Sequence, residues 1–252
     1  MALLWQKKTK NTLYEVRSAG NTVRLYSNSV FHSQWNSRRP VNGDIWDLLF
    51  LPIFFYEDIK KIKNVLVLGV GGGAVINQLN SFFDHLFIQG IELDKNHINV
   101  AKSWFKVDSE KVNLVCADAS VWVTQKHQKT DKFDLIIEDI FSSSTQGPSR
   151  AICADKYWFD ALVKLLTPQG LLVMNFESYK QFKNSELTQI AKNSKLINGV
   201  FYFSHAKYEN CIGVYCRNAA RISAFNKSLK QFPQLDRNRK TCRLDFRLAR
   251  LR

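Results

Sequence analysis

The sequence predicts an α/β chain: a mostly parallel sheet covered by helices on both faces, a terminal antiparallel hairpin, and a short N-terminal β-hairpin extension. Two observations carry this. From Lys63 onward, short apolar runs alternate with longer amphipathic segments at the spacing of βαβ units. The alternation then stops, and two strand-like runs, Gly199 to Ser204 and Cys211 to Cys216, follow with only six residues between them. That gap is too short for a crossover helix, so the two runs should pair antiparallel.

The elements read in order as follows. Leu13 to Arg17 and Thr22 to Tyr26 are β-rich and flank the turn residues Ser18-Ala19-Gly20-Asn21, which makes a hairpin within residues 13 to 35. Residues 43 to 61 have mixed helical spacing, and Pro52 predicts a kink or break. Strands are expected at Val65 to Leu68, Leu86 to Ile91, Val112 to Val115, Phe133 to Ile137 and Leu171 to Asn175. Helices are expected between them, at Ala74 to Phe83, Lys95 to Trp104, Ala119 to Lys126 and Ala154 to Leu166. The organisation is thus an extension over 1–62, a nucleotide-binding-type domain over 63–218, and a basic helix and tail over 219–252.

Bulk composition narrows the function classes. At 252 residues, with 45% hydrophobic and 23% charged residues, one domain with a sizeable core is expected. The five cysteines form no C-x-x-C pair and predict reduced thiols, most of them buried. The apolar start Met1 to Trp5 is too short for a signal peptide. Pro52 interrupts the run Leu48 to Tyr56, which is far below the roughly 20 residues of a membrane span. A soluble cytoplasmic protein is expected. The net charge of +14 is uneven: Arg217 to Arg252 holds eleven basic and two acidic residues. Such a tail can meet nucleic-acid phosphates or an acidic partner, or stay solvated. Phe225, Phe232 and Phe246 within it are spaced like core contacts rather than a base-stacking series.

The chemistry-bearing positions lie at the carboxyl ends of successive strands. Gly69-Val70-Gly71-Gly72-Gly73-Ala74 follows the first strand and runs into a helix, where glycines let backbone N–H groups approach a ligand. Glu92 and Leu93 end the second strand, and Glu92 is placed to accept ribose hydroxyls. Asp94 reads mainly as a helix cap. Asp118 and Ala119 follow the third strand, where a carboxylate and the next N–H can grip an adenine edge. Glu138 and Asp139 follow the fourth. A dinucleotide dehydrogenase would share the glycine turn, but its usual spacing wants glycine at Ala74. The histidines have no metal-ligand spacing, so no metal is expected. No Asn-Pro-Pro-Tyr run or Pro-Cys pair supports base methylation. His32 and Trp35 can line an acceptor pocket or pack at the surface, the second being the first expectation, and Ser142 to Ser144 are expected to form a flexible lip over the site.

Over about residues 63 to 176 these motifs resemble the spermidine synthase-like branch of S-adenosylmethionine (AdoMet)-dependent transferases. Val65 to Gly69, Gly90 to Asp94, Phe133 to Asp139 and Leu166 to Leu172 look like the family's strand motifs. The resemblance implies a Rossmann-like class I methyltransferase sheet, AdoMet as the cofactor, and a reduced form of the family's N-terminal strands. Gly69, Gly71, Gly72, Gly73, Glu92, Leu93, Asp118, Ala119 and Asp139 would then hold the cofactor. Asp139, with Glu138 second, would take or orient the acceptor's proton. Two departures stand out. The family's aminopropyltransferases usually carry Asp where Gly72 stands, and a second Asp in the run that here reads Asp139-Ile140-Phe141-Ser142. Loss of a fixed Asp favours ordinary AdoMet, whose carboxylate it would repel, so methyl transfer to an acceptor, for instance an amine, is the first expectation. Aminopropyl transfer from decarboxylated AdoMet and a non-catalytic binding module are the alternatives. The acceptor, small molecule or protein, is not readable, and a homodimer is compatible with the family.

Overall fold

The computed structural model describes residues 1–107, 109–125, 127, 131–144 and 147–251, with Ser143, Ser144 and Gly147 described by backbone alone. Four strands, β1 (Ala2–Lys8), β2 (Leu13–Ala19), β3 (Thr22–Ser27) and β4 (Val30–Asn36), form an antiparallel meander. The expected hairpin is β2–β3, and a further strand pairs on each side of it. Next, α1 (Ile45–Phe50) passes into a tight 3₁₀ segment, Leu51–Phe55, at Pro52. Proline lacks the N–H that would continue the α-helical ladder, which accounts for the change of pitch. Both pieces are fully buried, so this segment is core.

The central sheet is built from β5 (Asn64–Leu68), β6 (Phe87–Glu92), β7 (Val112–Cys116), β8 (Phe133–Glu138), β11 (Leu166–Phe176), β12 (Gly199–His205), β13 (Tyr208–Cys216) and β14 (Arg247–Arg250). Its order is β14-β12-β13-β11-β8-β5-β6-β7. The five strands from β7 to β11 run parallel, and β13 inserts antiparallel between β11 and β12. The central strands are near-continuous apolar runs because helices cover both faces. These helices are α2 (Ala74–Phe82), α3 (Lys95–Ser103), α4 (Ala119–Thr124), α5 (Lys156–Leu165), α6 (Tyr179–Asn184) and α7 (Glu186–Asn193).

Side-chain caps trim the expected boundaries. Asp94 accepts from Asn96 N–H, Asp118 from Ser120 N–H and Asp155 from Trp158 N–H, so α5 starts at Lys156 rather than Ala154. The expected end of α4 at Lys126 lies outside the described residues; the helix stops at Thr124. The turn of the terminal hairpin is only residues 206–207, because both strands extend beyond their apolar runs. A short antiparallel pair absent from the sequence reading, β9 (Phe141–Ser144) and β10 (Gly147–Arg150), follows β8.

The basic tail is folded onto the sheet. After α8 (Ile222–Leu229) the chain turns with Leu235, Leu244 and Phe246 buried, and β14 adds to the edge of β12. Phe225, Phe232 and Phe246 join an aromatic cluster with Phe54, Phe55, Phe83 and Phe203, with ring centroids 4.9–6.4 Å apart. All five cysteines are free, but only Cys211 and Cys216 are buried; Cys116 and Cys153 are exposed near element ends. Among the described residues no helix is long and apolar enough to cross a membrane.

Candidate active site

The carboxyl ends of the parallel strands face the N-terminal sheet across a cleft of about 930 Å³. That volume suits a small-molecule site, typically roughly 300–1,000 Å³. Its floor is the glycine turn between β5 and α2. Gly69 has φ +83°, and a Cβ there would lie 2.2 Å from the Asp139 carbonyl oxygen, so only glycine lets the turn pack on the end of β8. Asp139 N–H in return donates to the Leu68 carbonyl at 2.8 Å. Gly69 and Gly71 line the cleft, while Gly72 and Gly73 lie behind it. A Cβ on Gly72 would stand 2.7 Å from the Phe105 ring and 2.9 Å from Ser33 Cβ. The space an aspartate would need is filled.

Glu92 is almost fully buried, and its carboxylate pins the turn. Oε2 accepts the N–H groups of Val70 and Gly71, both at 2.9 Å, and Oε1 accepts that of Asp94 at 2.9 Å. Burial pushes its pKa up, but His97 and these N–H groups outweigh burial and hold it below the usual range. Asp94 caps α3 and accepts the Tyr14 hydroxyl at 2.5 Å, which ties the extension to the sheet. Leu93 is exposed at the rim. Asp118, Ala119 and Ser120 form the neighbouring wall, and Asp118 accepts from the Ser120 N–H and hydroxyl.

Asp139 lies on the wall with Asn175 donating to Oδ1 at 2.8 Å, and burial raises its pKa above the ordinary carboxylate value. Its neighbour is a correction to the sequence reading. Glu138 points away from the cleft, is fully buried, and receives both Arg150 guanidinium NH groups at 2.8 and 2.9 Å. Alternation along β8 sends consecutive side chains to opposite faces, so the two carboxylates cannot share one mouth. Glu138 is a structural anchor, and Arg150, also bound to the Asn175 carbonyl, fastens the β9–β10 hairpin to the sheet. Ser142 to Ser144, expected as a flexible lip, belong to strand β9; Phe141, Ser142 and Pro148 line the cleft, while the Ser143 and Ser144 side chains lie outside the description.

Several cleft residues escaped the sequence reading. His32 lines the cleft, the alternative rather than the first expectation for it, whereas Trp35 is half-buried against the core. The His32 Nε2 is buried without a partner among the described residues, and burial with the nearby His97 lowers its pKa to about 4. Asn175 and Glu177 end β11 and follow it; a polar Asn closing an otherwise apolar strand was the available signal. Tyr208, Glu209 and Asn210 come from the start of β13, far away in sequence. The wall as a whole carries six carboxylates, Glu92, Asp94, Asp118, Asp139, Glu177 and Glu209, and among the described residues no lysine or arginine. For a chain of net charge +14 this is strong segregation.

Comparison with known proteins decides the lineage. Residues 50–232 match the Spermine/spermidine synthase domain. The chain belongs to this family. Within the spermine/spermidine synthase family, it is 32% identical over 159 residues to a polyamine aminopropyltransferase of Alkaliphilus metalliredigens, covering 57% of this chain and 53% of that one. It is 30% identical over 184 residues to a polyamine aminopropyltransferase of Clostridioides difficile, covering 71% and 62%. The chain thus spans about half to three-fifths of the length of these relatives. Among solved structures, a probable spermidine synthase from Corynebacterium glutamicum superposes with a TM-score of 0.71 at 15% identity, covering 99% of this chain and 91% of that one. Human methyltransferase-like protein 13 in complex with SAH superposes at 0.58 and 16% identity, over 78% and 90%. These last two likenesses establish the fold alone. The first expectation, methyl transfer, finds no support in the names of its sequence relatives.

Proposed function

We propose that the chain transfers an aminopropyl group from decarboxylated AdoMet to an amine, the activity that its named relatives carry. The observation that carries this reading is the charge of the cleft wall, six carboxylates without a lysine or arginine among the described residues. Such a wall favours cationic ligands and compensates their desolvation. Decarboxylated AdoMet is cationic throughout, whereas ordinary AdoMet brings a carboxylate that would find no basic side chain on this wall. The acidic wall outweighs the absence of an aspartate at Gly72.

The residues present fit such a donor. The glycine turn leaves room for a ligand against the backbone, His32 offers an unpartnered buried ring nitrogen, and Glu92, Leu93, Asp118 and Ala119 line the end suited to a nucleoside. The donor supplies a carbon activated by a positive sulfur: the amine lone pair forms a C–N bond, the C–S electron pair returns to sulfur, and nitrogen then sheds a proton. Asp139 orients the amine and takes that proton, aided by the raised affinity that burial gives it. Asn175 holds the carboxylate in place, and the β9–β10 hairpin covers the reacting centre from water.

A second reading, methyl transfer from ordinary AdoMet, rests on Gly72, where Phe105 and Ser33 occupy the space of an aspartate. Thermal denaturation separates the two. Decarboxylated AdoMet should raise the Tm more than AdoMet at equal concentration; equal or greater stabilisation by AdoMet would favour the second reading.

A further inference from the structure

The positive charge that the cleft lacks is gathered elsewhere. The loop from β4 to α1 carries Arg38 and Arg39, and the turns after α8 carry Arg237, Lys240 and Arg243, all of them exposed. These two stretches are far apart in sequence, and the fold brings them together. A Cβ on Gly43, whose φ is +75°, would lie 2.7 Å from the Arg243 carbonyl oxygen, so loop and tail are in backbone contact.

The cations are held in place but not neutralised. Arg39 N–H donates to the Asn36 carbonyl at 2.9 Å and Arg38 N–H to Asn36 Oδ1 at 3.1 Å. In the tail, Arg239 N–H donates to the Asp236 carbonyl at 2.9 Å and Cys242 N–H to that of Arg239 at 3.0 Å, while the Arg237 guanidinium sits 4.5 Å from the centre of the buried Phe246 ring. The nearby carboxylates are engaged elsewhere: Asp44 accepts from Gln34 and Tyr208, Asp236 faces Arg239, and Asp245 faces His205. The side chains of Arg38, Arg39, Lys240 and Arg243 form no hydrogen bond or ion pair among the described residues. Like charges gathered on one surface repel, and a polyanion that spans them removes the repulsion.

The chemistry of the patch selects the polyanion. Four of its five cations are arginines, whose planar forks match pairs of phosphate oxygens. Every exposed large apolar side chain among the described residues lies outside 37–44 and 219–251. The patch therefore has no apolar centre for a protein interface, no wedge for a lipid surface, and no exposed ring on which an unpaired base would stack. We propose that this patch binds the phosphate backbone of double-stranded nucleic acid, independently of base sequence. It stands apart from the reaction of the cleft.

The test is fluorescence anisotropy of the full chain with labelled duplexes of about 20 base pairs, as DNA in two unrelated sequences and as RNA. The tighter of DNA and RNA names the source of the phosphates. Five phosphate contacts predict a slope of about −4 to −5 in log K against log salt between about 50 and 200 mM. Arg38→Ser with Arg39→Ser, and separately Lys240→Ser with Arg243→Ser, should each flatten that slope by about 2, equally for both sequences. Lys180→Ser with Lys183→Ser removes the same charge from α6, which packs through Phe182 on the other face of the sheet, and should leave the slope unchanged. All six side chains are exposed, so the variants should keep the wild-type Tm. An equal loss in the α6 variant would show that total charge, not this patch, does the binding, and would overturn the assignment. So would the absence of duplex binding at about 50 mM salt, a preference above about tenfold between the two sequences, or vesicles containing phosphatidylserine bound as tightly as the duplex.

Discussion

Asp139 and His32 are the two groups whose environments most constrain the chemistry of the cleft. Burial raises the proton affinity of Asp139, so the ionised form needed to accept a proton is lost at a higher pH than for an ordinary aspartate. The rate of amine transfer should therefore fall as pH drops through a value above the usual Asp range. Asp139→Asn should lower kcat by about 10²- to 10⁴-fold and abolish that acid limb; a variant that keeps the wild-type pH profile would remove Asp139 from the proton step. For His32 the sign runs the other way. Its folded pKa is about 4 against an ordinary 6.5, so between these values the unfolded chain holds a proton that the folded chain does not. Stability is fully present above 6.5 and is lost as pH falls toward 4. Urea denaturation at pH 7, 6 and 5 should show a shallower acid loss for His32→Gln than for wild type, and parallel losses would contradict the burial of the ring.

At the scale of elements, the Glu138–Arg150 pair joins the β9–β10 hairpin to the sheet, with side chains 0% and 4% exposed. Breaking one half leaves a buried charge alone. Arg150→Met should cost about 3–5 kcal/mol in urea denaturation, and the double variant with Glu138→Leu should recover most of it. A cost below about 1 kcal/mol for the single change would mean that the pair is open to water. The same hairpin marks the limit of what was legible. Strands β5, β6 and β8 announce themselves through runs such as Val65-Leu66-Val67-Leu68, because burial on both faces leaves little choice of residue. In contrast, β9 and β10 are Phe-Ser-Ser-Ser and Gly-Pro-Ser-Arg, held by tertiary fastening rather than by propensity. β14 is a strand only because the edge of β12 offers it a partner, and α6 and α7 are short helices started by the serine caps Ser178 and Ser185. At the site, Glu92 and Asp139 were legible from their places after strands. Glu138 was misassigned because a sequence pair does not reveal which side chain faces the cleft, and Tyr208 and Asn210 were missed because the start of β13 meets the cleft only in three dimensions.

For the whole molecule, the governing feature is the separation of charge. The chain carries +14, yet the described cleft wall is acidic, and the basic tail is anchored on the far edge of the sheet by Leu235, Leu244 and Phe246. The fold holds a donor-sized cleft between two sheets, and tyrosine and glutamine contacts to Asp94 and Asp44 tie those sheets together. A wall of this charge suits a cationic donor and a cationic acceptor. Mass spectrometry of a reaction containing 1,4-diaminobutane with either decarboxylated or ordinary AdoMet tests that directly. The predicted result is an amine heavier by one aminopropyl group, formed with methylthioadenosine from the decarboxylated donor alone; methylated amine from ordinary AdoMet, with no aminopropyl product, would contradict it.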